Sequence, residues 1–187
     1  MGLLTVTDVE RDINLAERIF EQPGVLAAGI GGCLVLGALG VLLGRAFRWR
    51  PVFAGLAGFS LGGALTVTLA RVSTSKRTGG LDACLHNDFS LSSSYARLNF
   101  VMLMPFAFFA VLAVRRFLPV ALAAVVLGFG IEAVQVATGR GVCEMQDMLN
   151  NALGGVIAAV VAWALNVLVS RGLDQRPSEV DTRRVRA

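Results

Sequence analysis

The chain has 187 residues, 55% of them hydrophobic against 16% charged, and a mean hydropathy of +0.68. That balance lies outside ordinary soluble composition and excludes a free soluble globular domain. A formal net charge of +4 would point to nucleic acid in a soluble protein, but membrane proteins acquire Lys and Arg from topology and no nucleic-acid-binding motif accompanies the charge, so no such partner is expected.

In chain order, residues 1–22 are polar and acidic, with Val9, Ile13, Ala16 and Phe20 on one helical stripe, which predicts an amphipathic helix lying in the membrane interface. No basic stretch precedes the first apolar run, so no cleavable signal peptide is expected. Residues 23–170 contain five charge-poor runs: Pro23 to Gly44, Pro51 to Ala70, Leu98 to Val114, Phe117 to Thr138 and Met148 to Ser170. Each is long enough for a ~30 Å hydrocarbon core, which needs about 20 helical residues. The predicted fold is therefore all-α, a polytopic bundle of five membrane-spanning helices with an interfacial N-terminal helix. Pro105 lies inside the third run and predicts a bend there. Residues 171–187 are polar and basic with Pro177, which predicts a disordered tail.

Gly40 and Gly44, and Gly58 and Gly62, repeat at a spacing of four in the first two runs, letting helix backbones approach closely. Packing within one monomer is the favoured reading, with a homo-oligomer contact as its rival. Orientation follows from short-loop Lys and Arg. One side receives Arg45, Arg48 and Arg50, then Arg115 and Arg116, then Arg171 and the tail; the other receives Arg11 and Arg18, then Arg71, Lys76, Arg77 and Arg97, then Arg140. The first set is denser, which places the amino terminus outside and the carboxyl terminus in the cytoplasm of a multi-pass cell-membrane protein.

On that topology, polar residues of several spans gather at the outer leaflet. Asn99 begins the third span, Glu132 and Gln135 close the fourth, and Asp147, Asn150 and Asn151 open the fifth, while the outer loops add Arg97, Arg140 and the single histidine, His86. Glu132 and Gln135 share a helix face, as do Asp147 and Asn151. A carboxylate inside a span costs roughly 2.5–3.5 kcal/mol on insertion scales and is expected to face the bundle and find a partner, Arg140 being the candidate. The plainer alternative is a Glu132–Arg140 ion pair that fixes helix register. Asn166, toward the inner end of the fifth span, is read as packing.

Cys33 reads as a small apolar filler. Cys84 and Cys143 fall in the two outer loops, where a disulfide persists, and are expected to form one. A zinc set of Cys84, His86 and Cys143 lacks CxxC or HxxxH spacing; no metal and no cofactor are expected.

The segment Ile131-Glu132-Ala133-Val134-Gln135, then Gly139-Arg140, then Gln146-Asp147 through Asn150-Asn151 to Gly154, resembles the VanZ-like family of bacterial membrane proteins, with its Glu-x-x-Gln at one helix end, a following Arg, and Asp-x-x-x-Asn-x-x-Gly opening the next helix. Asn99 with Pro105 and Phe106 resembles the family's Asn-x5-Pro block. The resemblance runs from Asn99 to about Ala158. It implies an envelope role, the name-giving member being associated with resistance to teicoplanin.

The leading expectation is an outward-facing pocket for an amphipathic envelope molecule, either a lipid-linked cell-wall component or a lipoglycopeptide. In it Arg97 and Arg140 meet phosphate or carboxylate, Asn99, Gln135, Asn150 and Asn151 supply neutral hydrogen bonds, and Glu132 and Asp147 complete the polar set. The competing expectation is an intramembrane enzyme acting on a lipid-linked phosphate or headgroup, with Glu132 and Asp147 as acid and base and His86 as proton shuttle. No activated Ser or Cys supports covalent catalysis. A proton-coupled transporter ranks last, because Glu132 is away from the midplane and no inverted repeat is visible.

Overall fold

The computed structural model describes residues 6–22, 24–69, 91–138 and 145–174. Among these, every regular element is an α-helix: α1 (Val6–Phe20), α2 (Val25–Ala46), α3 (Pro51–Leu69), α4 (Ser94–Met102), α5 (Met104–Val114), α6 (Phe117–Ala137) and α7 (Met145–Asp174). Five stretches are long and apolar enough to cross a membrane, α4 and α5 together making the third. Such segments are helical because lipid offers their backbone no other hydrogen-bond partner.

The expected bend in the third span is a break. Helix α4 ends at Met102, Leu103 sits fully buried at the junction, and Pro105 falls in the first turn of α5, where its missing N–H forfeits no helical bond. Helix α2 starts two residues after Pro23, from Gly24 at φ 84°. Helix α7 is longer than its apolar core at both ends, beginning at Met145 and continuing to Asp174. The helix therefore continues past Arg171, where the tail was expected to begin, to Asp174; the end of a spanning helix lies at the membrane surface, where charge is tolerated.

Helix α2 packs on α3 through the small residues. A Cβ at Gly40 would strike the Ala54 carbonyl, one at Gly58 the Leu36 carbonyl, and one at Gly62 would lie 2.5 Å from the Gly32 carbonyl. The repeated glycines thus serve packing within one chain. Cys33 is partly buried in the same seam, facing Gly63. Beyond α3, the bundle is α5, α6 and α7, with α4 lying along α7 and α3 covering α5 and α6. Two apolar layers fill it. One, toward the arginine-rich end, is built from Ala57, Ala107, Val111, Val120, Ala124, Ala158, Ala159 and Ala162; the other joins Ala64, Leu103 and Ile131. Alanine dominates the first, so helix axes come close there without large side chains.

Helix α1 carries two stripes. Val9 and Ile13 are 48% and 61% exposed, away from the bundle, while Asp8, Asp12 and the buried Ile19 face it. An apolar stripe of α1 is thus turned away from the bundle and a polar one toward it.

Candidate functional site

The polar end is positioned by the register of three helices. A Cβ at Gly155 of α7 would lie 2.7 Å from Ala124 Cβ of α6, and one at Gly128 of α6 would lie 3.2 Å from Asn151 Cβ. These antiparallel helices thus pair residue 124 with 155 and 128 with 151; one more turn outward brings Glu132 to the level of Asp147. Helices α4 and α7 run parallel, with Phe100 against Gly154 and Leu103 Cβ 3.7 Å from a Cβ at Gly155. A turn outward from that last pair, Asn99 and Asn151 stand side by side. Gly128 and Gly154 leave room for these approaches, and each is a position where any side chain would push a neighbouring helix away.

Burial matches this register. Glu132 is 2% exposed, Gln135 7%, Asn150 0% and Asn151 1%, so the carboxylate that membrane insertion disfavours points into the protein and not at lipid. Asn99 and Asp147 are half-buried. Beneath them lies the apolar layer of Ala64, Leu103 and Ile131.

Two hydrogen-bonding situations coexist here. Gln135 Nε2 donates to the Thr68 carbonyl at 3.0 Å; Thr68 is in the last turn of α3, whose carbonyls have no helical donor, so Gln135 caps a neighbouring helix. By contrast, Asn150 Nδ2 and Oδ1 and Asn151 Oδ1 are buried with no hydrogen-bond partner. A buried amide left unpaired costs about 1–3 kcal/mol per group, which makes such a group an exception that calls for a cause.

Arg97 is engaged within the chain. Its Nε and Nη2 donate to Asp12 Oδ2 and Oδ1, both at 2.7 Å, its Nη1 donates to the Leu91 and Ser92 carbonyls, and Nη2 also reaches Ser94 Oγ. Asp8 stands 4.0 Å away. The guanidinium is thus committed to clamping α1 onto the start of α4, in the bidentate geometry that suits Arg and carboxylate. Hydrogen bonding from Arg97 holds the Asp12 carboxyl below its ordinary value of 3.8, against the opposing effect of burial.

Arg140, His86, Cys84 and Cys143 lie outside the described residues, and so does any bridge between the two cysteines. No group of His, Cys, Asp and Glu that could hold a metal ion occurs among the described residues. Asn166 donates to the Val111 carbonyl at 3.4 Å, a contact between α7 and α5 in keeping with packing. Sequence reasoning missed two participants. Thr68 acts through its backbone, which no residue pattern marks. Asp12 was legible in part, since Asp8 and Asp12 are four apart on one face of α1.

A family model described as VanZ/LLP1 matches residues 83–167, a stretch that includes Asn99, Glu132, Gln135, Asp147, Asn150 and Asn151. No curated protein and no solved structure matches the chain.

Proposed function

Because this chain is a VanZ-like multi-pass membrane protein, we propose that its polar end is an outward-facing pocket for an amphipathic envelope molecule, such as a lipid-linked cell-wall component or an acylated glycopeptide antibiotic of the teicoplanin kind. The supporting observation is the pair of buried asparagines, Asn150 and Asn151, with amide atoms unpartnered at the level of the buried Glu132. Amides both donate and accept, which suits the hydroxyls and amides of a saccharide or peptide headgroup. The surrounding helices supply apolar surface for an acyl chain, which is why such a site belongs in the membrane and not in a soluble domain.

Arg97 is occupied by Asp12, so the cation assigned to a ligand phosphate or carboxylate is Arg140. The amino terminus faces outside and the carboxyl terminus the cytoplasm, a reading supported by the density of arginine at the opposite end of the bundle. The role that follows is envelope maintenance or resistance to antibiotics that act there.

The test is saturable binding of teicoplanin, and separately of a polyprenyl-linked cell-wall precursor, to the purified full chain. Wild type binds at least one of them, and Glu132→Gln and Asn151→Leu weaken that binding at unchanged protein yield. Unaltered binding by both variants overturns the pocket. A second reading rests on the register that brings Glu132 level with Asp147: paired carboxylates acting as acid and base on a lipid-linked phosphate. Headgroup release from the same precursor, abolished by Glu132→Ala, would favour the enzyme, whereas binding without product favours the binder.

A further inference from the structure

At the end opposite the polar cluster, about 30 Å along α7 from Asn150 to Ser170 at 1.5 Å per residue, α3, α5 and α7 enclose a crevice of roughly 520 Å³. It is lined by Arg50, Arg115 and Arg171 together with Phe53, Leu112 and Trp163. Two of these residues are held in place through their backbone. Arg50 N donates to the Ala113 carbonyl at 3.3 Å, tying the start of α3 to the end of α5, two residues from Arg115. Arg115 itself caps α5 at φ 60°, with its N–H on the Val111 carbonyl at 2.7 Å. A non-glycine residue in that left-handed region carries a backbone cost of about 1–2 kcal/mol, at a position where glycine would incur none.

The polar side chains of the crevice divide sharply. Asn166 is committed to Val111 and Ser170 to the Asn166 carbonyl. The arginines are not: among the described residues, none of the three is ion-paired to a carboxylate, and Arg50 rests over the Phe53 ring at 5.8 Å. Cations that line one crevice with no ion-pair partner among the described residues repel one another in the absence of an anion. The wall is apolar and continues onto the outer flank of α7, where Leu165 and Val169 are exposed.

We propose that this crevice binds an anionic membrane phospholipid, the three arginines taking its phosphate and the Trp163 wall taking the first part of an acyl chain. The anionic head answers the unpaired guanidiniums, and the tail answers the apolar wall that a free phosphate would leave uncovered. Basic pockets between spans, at one end of a bundle, are the geometry in which phospholipid headgroups are held. The inference is independent of the pocket at the other end.

The chain has two tryptophans, Trp49 and Trp163, so Trp49→Phe leaves Trp163 as a fluorescent reporter within the crevice. In vesicles carrying brominated phosphatidylglycerol, Trp163 emission is quenched at far lower lipid fraction than with brominated phosphatidylcholine. Arg50→Gln, Arg171→Gln and Arg115→Gly each shift that preference toward phosphatidylcholine by about fivefold, the worth of one arginine near a charged surface. Arg115→Gly also relieves the positive φ, so its loss of binding cannot be ascribed to misfolding. Arg116→Gln, next in sequence but outside the crevice lining, leaves the preference intact. Equal quenching by both lipids, or an Arg116→Gln effect as large as that of Arg115→Gly, overturns the proposal. Relief of phosphatidylglycerol quenching by millimolar inorganic phosphate overturns the lipid assignment in favour of a small-anion site.

Discussion

Asn150 and Gln135 are both buried amide side chains near the polar end of the bundle, yet replacement by leucine is expected to move stability in opposite directions. Asn150 is 0% exposed with its Nδ2 and Oδ1 unpartnered. Leucine keeps much of its shape and removes two groups that cannot recover the hydrogen bonds they lose on leaving water. Such a change is neutral or stabilising, up to about 1–3 kcal/mol. Gln135→Leu deletes the 3.0 Å bond to Thr68 and leaves a helix-terminal carbonyl buried without a donor, which costs about 1–3 kcal/mol. Unfolding of ligand-free protein in detergent, by heat or denaturant, reads the difference. Asn150→Leu is expected to hold or raise the melting midpoint and Gln135→Leu to lower it, by roughly 2–4 °C per kcal/mol for a chain of this size. Binding should be lost in Asn150→Leu despite the intact fold, the usual exchange of function for stability at a site. If Asn150→Leu destabilises as much as Gln135→Leu, the asparagine is paired in the folded protein and the reasoning behind the pocket fails.

The clamp between α1 and α4 carries its own pH signature. Asp12 titrates below its ordinary 3.8, so its contribution is fully present above that value and is lost only as pH falls through the lower folded one. Hydrogen exchange in α1 should be flat from neutral pH down to about pH 4 once corrected for intrinsic rates, then rise; Asp12→Asn should give the fast exchange already at neutral pH. At Gly154 a Cβ would strike the Phe100 carbonyl, whereas at Gly130 it would meet open space. Gly154→Val should therefore destabilise by about 1–3 kcal/mol through overpacking and Gly130→Ala should be neutral or slightly stabilising, as judged by the same melts.

The spans were legible because a segment apolar on every side has few alternatives, and Pro105 announced the discontinuity between α4 and α5. The limits of α7 were less legible. Gln146, Asp147 and Arg171 end the apolar run but not the helix, since hydropathy marks what lipid accepts and not where i to i−4 bonding stops. Of the site, the shared depth of Glu132, Gln135, Asn150 and Asn151 could be read from topology, while their differing hydrogen-bond status could not, because it depends on which backbone carbonyl lies opposite. Arg97 shows the same limit. Its partner Asp12 is 85 residues away, and nothing local distinguishes a clamp from a ligand-binding cation. The glycine spacing in α2 and α3 admitted two uses; the close approaches at Gly40, Gly58 and Gly62 are what show packing inside the chain.

The convergence of α4, α6 and α7 on one polar vestibule is tested most directly by cross-linking across it. In a chain with Cys33, Cys84 and Cys143 replaced by alanine, Asn99→Cys paired with Asn151→Cys should form a disulfide under mild oxidation in the membrane, and bound ligand should slow its formation. Absence of that cross-link in folded protein, or equally rapid formation when Asn99→Cys is paired with Val160→Cys on the same helix more than two turns deeper, would contradict the gathering of these residues at a common level.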